Sequence, residues 1–155
     1  YGMMVQTALC KLGGVGKEKV EWRANIAKTG EYEIFAYIAP LQTDPMEGVG
    51  SLFILSGELY YTVYSDNKPT EVLVRPDMYK GGWISLGKYR FRGGEMASVS
   101  LDDRVGNFKE HPLVREYGLV ENDGYVQVIM ADAVKWVLLD ESVADVVNAS
   151  QQVVE

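Results

Sequence analysis

The sequence is short of the residues that much protein chemistry needs. Cys10 is its only cysteine and His111 its only histidine. One cysteine permits no intrachain disulfide and no cysteine-based zinc site. One histidine permits no His-x-x-x-His metal pair, and no Gly-x-Ser-x-Gly nucleophile turn is present. Bases are scarce as well: 15 Lys and Arg stand against 22 Asp and Glu, a net charge of −7. An acidic chain repels phosphate backbones, so no nucleic-acid partner is expected. No apolar run reaches the length of a membrane span. Gly13-Gly14-Val15-Gly16 is rich in glycine, but it leads into a strand pattern rather than into the helix N-terminus that would hold a phosphate. It reads as a hairpin turn. Cys10 reads as a small buried residue at a strand end, and His111, beside Pro112, as a surface loop residue.

What is present suits one globular domain. The chain has 155 residues, 47% of them apolar and 24% charged, enough to bury a core without disulfides. It starts at Tyr1 without a signal peptide, and reads as a piece of a longer or processed polypeptide whose targeting segment is not included.

The dominant hydrophobic period is two, which predicts strands. Met3–Leu9 is the expected first strand. Val20–Ile26 alternates with Trp22 on the apolar side. Thr29-Gly30 reads as a turn, and Glu31–Ile38 as the strand that completes a hairpin with it. Tyr60–Ser65 and Glu71–Arg75 flank the turn cluster Asp66-Asn67-Lys68-Pro69. In Trp83–Phe91 the apolar phase shifts at Gly87, which predicts a bulge. Ala97–Leu101 follows, and Asp123–Leu139 reads as one long final strand. About eight strands with turn signals between them predict an all-β fold: an antiparallel β-sandwich of jelly-roll, galactose-binding-like type. Long connections at Pro40–Leu59 and Arg104–Asn122 interrupt it, and Leu52–Leu55 is expected to add an edge strand. The sandwich is assigned to residues 1–139. Residues 140–155 form a tail or a short helix, with acidic residues at its start as the helix dipole prefers.

In the long final strand Asp132 shares a phase with Val128, Val134 and Trp136, while Gln127 and Lys135 mark the wetter face. Asp132 is therefore expected as a structural buried carboxylate, held by internal hydrogen bonds. Asp102-Asp103 read as solvated turn caps. No cofactor is expected. A calcium ion near Asp102, Asp103 and Asp123 stays open, since calcium takes carboxylate and carbonyl oxygens. Aromatic residues are the stronger clue, with ten Tyr and three Trp. By phase Tyr37, Tyr60 and Tyr64 face outward, and Tyr79 and Trp83 bracket a glycine pair. These five are the candidate ligand-binding residues, since outward rings beside polar groups suit the C–H faces of sugars. Trp22, Tyr32, Ile34, Tyr89, Phe91, Leu101, Val128 and Val134 are the expected shared core.

The run Val20-Glu21-Trp22, then Gly30–Tyr37, Tyr61–Tyr64, Gly82–Phe91 and Gly124–Val126 with Ala131-Asp132-Ala133-Val134-Lys135-Trp136, resembles the golvesin C-terminal-like domain over about residues 18–138. The same module is appended to xanthan lyases as a carbohydrate-binding-like unit. The resemblance implies a β-sandwich beside a catalytic or cell-wall domain, in a bacterial protein that is secreted, periplasmic or on the cell surface. The expectation is a non-catalytic accessory module that binds a polysaccharide or cell-surface glycan. The alternative is a structural domain that packs on a neighbouring domain and binds no sugar. Net charge predicts poor binding of acidic glycans unless the stripe Lys88, Arg90 and Arg92 offsets it.

Overall fold

The computed structural model describes residues 8–40, 53–77 and 79–139. Its strands are β1 (Leu9–Leu12), β2 (Lys19–Asn25), β3 (Gly30–Ile38), β4 (Phe53–Leu55), β5 (Leu59–Ser65), β6 (Lys68–Val74), β7 (Gly82–Phe91), β8 (Met96–Asp102), β9 (Val126–Ala131) and β10 (Val134–Leu139). A short helix, α1 (Pro112–Tyr117), follows a 3-10 turn at Phe108–Glu110. The strands form a four-stranded sheet ordered β2-β8-β5-β6 and two three-stranded sheets, β10-β3-β7 and β1-β9-β4. All pairings between these strands are antiparallel except β4 with β9.

One core joins the three sheets. Trp22, Tyr61, Val63, Val99 and Leu101 come from the first sheet. Tyr32, Ile34, Leu86, Phe91, Val134 and Trp136 come from the second, and Ile129 and Ala131 from the third. The fold is an all-β sandwich. In β3 the period of two is literal: Tyr32, Ile34, Ala36 and Ile38 are buried, and the residues between them face out. The β5–β6 hairpin turns on Asp66 and Asn67, both at positive φ (52° and 58°). That is the conformation of a two-residue hairpin turn, which Asp and Asn tolerate. Pro69 is accommodated because β6 is an edge strand. The bulge falls where the phase shift put it. Gly87 lies at φ 114°, and the register slips so that Ile34 faces Gly87 while Phe35 faces Ser85. Leu86 and Phe91 can then both point inward, five residues apart.

Several expectations are corrected. β2 and β3 do not form a hairpin: β2 pairs with β8, and β3 pairs with β7 and β10. The short link between them crosses from one sheet to another, tied to the turn after β7 by Ile26 and Gly94 backbone bonds. The first described strand is Leu9–Leu12; most of Met3–Leu9 lies outside the described residues, as do 140–155. Gly13–Gly16 is likewise a crossing between sheets, not a hairpin turn. The segment Asp123–Leu139 is not one strand. It breaks at Asp132-Ala133, and its two halves join different sheets. The phase inverts at the break, so that Gln127, Ile129 and Ala131 point inward before it, and Val134 and Trp136 after it. Val128 is thus only half-buried and lies outside the shared core. Cys10 is exposed. The apolar run around residue 53 does supply an edge strand, β4.

Candidate functional site

The sharp turn before β7 sets the site. Asp77 Oδ1 accepts from the Tyr79 and Lys80 amides (3.1 and 3.2 Å), and its carbonyl accepts from Gly81 N. Gly81 (φ 57°) packs so tightly that a Cβ would sit 2.6 Å from the Ile38 carbonyl. The turn delivers Trp83 to the start of β7, opposite Tyr37 on β3. Their rings meet edge-on, with centroids 5.2 Å apart. Lys135, on β10, is opposite Phe35. Its Nζ lies 4.1 Å from the Trp83 ring centroid and 5.2 Å from that of Phe35, within range of a cation–π contact. Trp83 stays 41% exposed. The outward face of β10-β3-β7 therefore carries a contiguous group of Phe35, Tyr37, Trp83 and Lys135.

Farther along this face, Lys88 stands opposite Glu33 and Arg90 opposite Glu31, the favourable cross-strand arrangement of opposite charges. Ser85 Oγ donates to Glu33 Oε1 at 2.7 Å. Arg92 is 4.0 Å from Asp66. The expected basic stripe is thus interleaved with acids.

Of the five aromatic candidates, the structure brings together Tyr37 and Trp83. Tyr60 and Tyr64 lie on β5, in the four-stranded sheet. Tyr60 is engaged by its surroundings: the Arg104 guanidinium lies 4.4 Å from its ring centroid, and its hydroxyl donates to Glu58 at 2.8 Å. Arg104 is itself fixed by Asp102 and Glu71. Tyr64 has the Lys19 ammonium 6.0 Å from its ring centroid. Tyr79 is exposed, but its hydroxyl donates to Glu116 on α1 at 3.2 Å. Phe35 and Lys135 are the members that sequence reasoning did not nominate. Their signal was the outward phase of Phe35, but nothing in the sequence shows that β10 pairs with β3.

The buried carboxylate is Asp103, not Asp132. Asp132 sits in the break between β9 and β10 and is half-buried. Among the described residues no donor bonds its carboxylate; its backbone carbonyl instead accepts from Trp22 Nε1 at 3.3 Å. Partial burial raises its pKa. Asp103, expected as a solvated cap, is 5% exposed. Its carboxylate takes the Lys11 ammonium at 2.8 Å and the Gly16 amide at 2.7 Å. These hold its pKa below the usual range, the Lys11 bond most of all.

His111 is also structural. It is 3% exposed. Its Nδ1 accepts from the Leu113 amide (3.2 Å), capping α1, and its Nε2 bonds the Leu55 carbonyl (2.6 Å). With Nδ1 an acceptor, Nε2 must carry the proton. Among the described residues no group of three or more His, Cys, Asp or Glu is gathered as metal ligands would be.

The Golvesin C-terminal domain model matches residues 1–109. The chain belongs to this family. Most of the residues that suggested the resemblance lie in the matched stretch; Gly124–Trp136 lies beyond it. Comparison with curated proteins returns no significant match. Golvesin C-terminal domains are non-catalytic accessory modules of larger proteins and are typically extracellular. Among the described residues no helix is long and apolar enough to cross a membrane.

Proposed function

We propose that this golvesin-type domain is a non-catalytic accessory module of a secreted or cell-surface bacterial protein, and that it binds carbohydrate on the outward face of β10-β3-β7. The observation that carries the reading is the Tyr37–Trp83 pair beside Phe35 and Lys135. Rings gathered on a surface offer the apolar contact that sugar C–H faces take, with a polar group beside them to orient hydroxyls. Single exposed rings would carry no such weight. Titration with a panel of neutral and acidic polysaccharides tests the reading. Binding by the wild type that Trp83→Ala abolishes supports it; no binding to any glycan overturns it.

A second reading, docking onto a neighbouring domain of the same polypeptide, has its own observation. The outward face of β1-β9-β4 holds Cys10, Leu12, Leu55, Val126, Val128 and Met130, with no charged residue among them. Such an uncharged face suits a domain interface, and the family is one of accessory domains in larger proteins. Thiol labelling of Cys10 tests it: protection in the longer polypeptide but not in the isolated domain supports docking, and equal labelling rates oppose it.

A further inference from the structure

We infer that the sugar taken on this face carries a carboxylate, as a uronic acid does, and that Lys135 is the residue that recognises it. The inference rests on the carbohydrate reading above and goes one step beyond it, to the class of sugar. Net charge argues the other way, because −7 repels anions at long range. Screening limits that repulsion to about 8 Å at physiological ionic strength, so charge within the site outweighs charge elsewhere.

Within the site, the charge nearest the rings is a cation. Lys135 Nζ is 4.1 Å from the Trp83 ring centroid and 5.2 Å from that of Phe35. The rings attract the ammonium without accepting hydrogen bonds as an oxygen would. Its three N–H donors stay available for oxygen acceptors. Among the described residues no carboxylate lies within ion-pair distance of Lys135. Glu33, the nearest acid along β3 on this face, already takes the Ser85 hydroxyl at 2.7 Å. The result is an ammonium placed by two aromatic rings on a half-exposed aromatic patch. A uronate can put its apolar C–H atoms against the rings and its carboxylate on the ammonium. A neutral sugar offers only the first contact.

The test uses the full chain and two matched probes: an oligogalacturonate and the same oligosaccharide with its carboxyls methyl-esterified. The expected result is tighter binding of the free acid than of the ester, by about tenfold, as a charge-assisted pair supplies. Lys135→Gln should erase the difference, and Lys135→Arg should keep most of it. Near-UV circular dichroism should show the variants folded as the wild type is. Equal binding of acid and ester, with Lys135→Gln silent, overturns the uronate inference and leaves the carbohydrate reading intact. A preference for the acid that survives Lys135→Gln but vanishes in Lys88→Gln/Arg90→Gln overturns it too, by moving recognition to the basic stripe. Failure of both probes and of the neutral panel overturns both readings.

Discussion

The Asp103 carboxylate meets the Lys11 ammonium at 2.8 Å, across the gap between two sheets. Lys11 belongs to β1, while Asp103 directly follows β8 in the opposing sheet. Gly14 bonds the Asp103 carbonyl, Gly16 its carboxylate, and Asp103 N donates to the Glu18 carbonyl. The glycine-rich stretch thus folds around one side chain. A Cβ on Gly14 would collide with the Asp103 carboxylate.

Asp103→Asn and Gly14→Ala are both expected to lower the urea midpoint. Asp103 also gives a pH signature. The Lys11 ammonium holds its folded pKa below the ordinary aspartate value, so the unfolded chain takes up this proton first. The stabilisation is fully present above that value and is lost as pH falls through the folded pKa. Asp103→Asn should flatten the acid limb of a stability curve below about pH 4. An unchanged limb would show that Asp103 is not a clamp.

Trp22 is 2% exposed and packs on Tyr61, with ring centroids 6.4 Å apart. Trp22→Ala should cost about 3–5 kcal/mol, the range for large aromatic truncations in a core. Trp22→Phe keeps much of the packing but leaves the Asp132 carbonyl without its donor. Among the described residues Trp136 Nε1 is buried with no partner, so Trp136→Phe removes an unmet donor instead. Denaturant melts should therefore place Trp136→Phe closer to wild type than Trp22→Phe.

His111 supplies a second pH dependence, near neutrality. Burial lowers its pKa from the ordinary histidine value, so the neutral ring is the folded form. Below about pH 6.5 the unfolded chain binds a proton that the folded chain resists, and stability falls. Protonation also replaces the Nδ1 acceptor that caps α1 with a donor. Urea melts at pH 7.5 and pH 5.5 should show the loss. His111→Asn, which can still cap a helix, should show less of it.

Asp132 behaves in the opposite sense. Its pKa is raised by partial burial, so ionisation costs the folded state, and that cost enters as pH rises past about 4. Asp132→Asn should be neutral or mildly stabilising at pH 7. A clear loss of stability would mean that the carboxylate has a partner after all.

The strand positions and their phases are largely legible in the sequence. Tyr32, Ile34, Ala36 and Ile38 repeat every second residue, and Gly87 sits where the alternation slips. Pairing was not legible, because a period of two says which face a residue takes but not which strand lies beside it. The four-residue link Ile26–Thr29 suggested adjacency, yet it spans two sheets. Asp132 was misplaced because both faces of β9 are apolar. Val126, Val128 and Met130 form the outward row, so the alternation ran on through the break unnoticed. Gln127, whose polarity points to a wet face, is buried and donates to the Gly106 carbonyl at 2.8 Å. At the site, Tyr37 was legible from its phase and Trp83 from its place beside a glycine pair. Lys135 was not, because its place above Trp83 depends on the β10–β3 register.

The register of the outer strands bears on how the chain can fold at all. Leu9 pairs with Ala131, and Ala36 with Val134. Two early strands wait for partners made near the other end of the chain. Contacts so distant in sequence slow folding, and on the ribosome β1 and β3 must stay unpaired along those edges until residues beyond 125 emerge. A polypeptide cut at residue 109, where the family match ends, would lack β9 and β10. It would leave those edges bare, a state prone to aggregation rather than to independent folding.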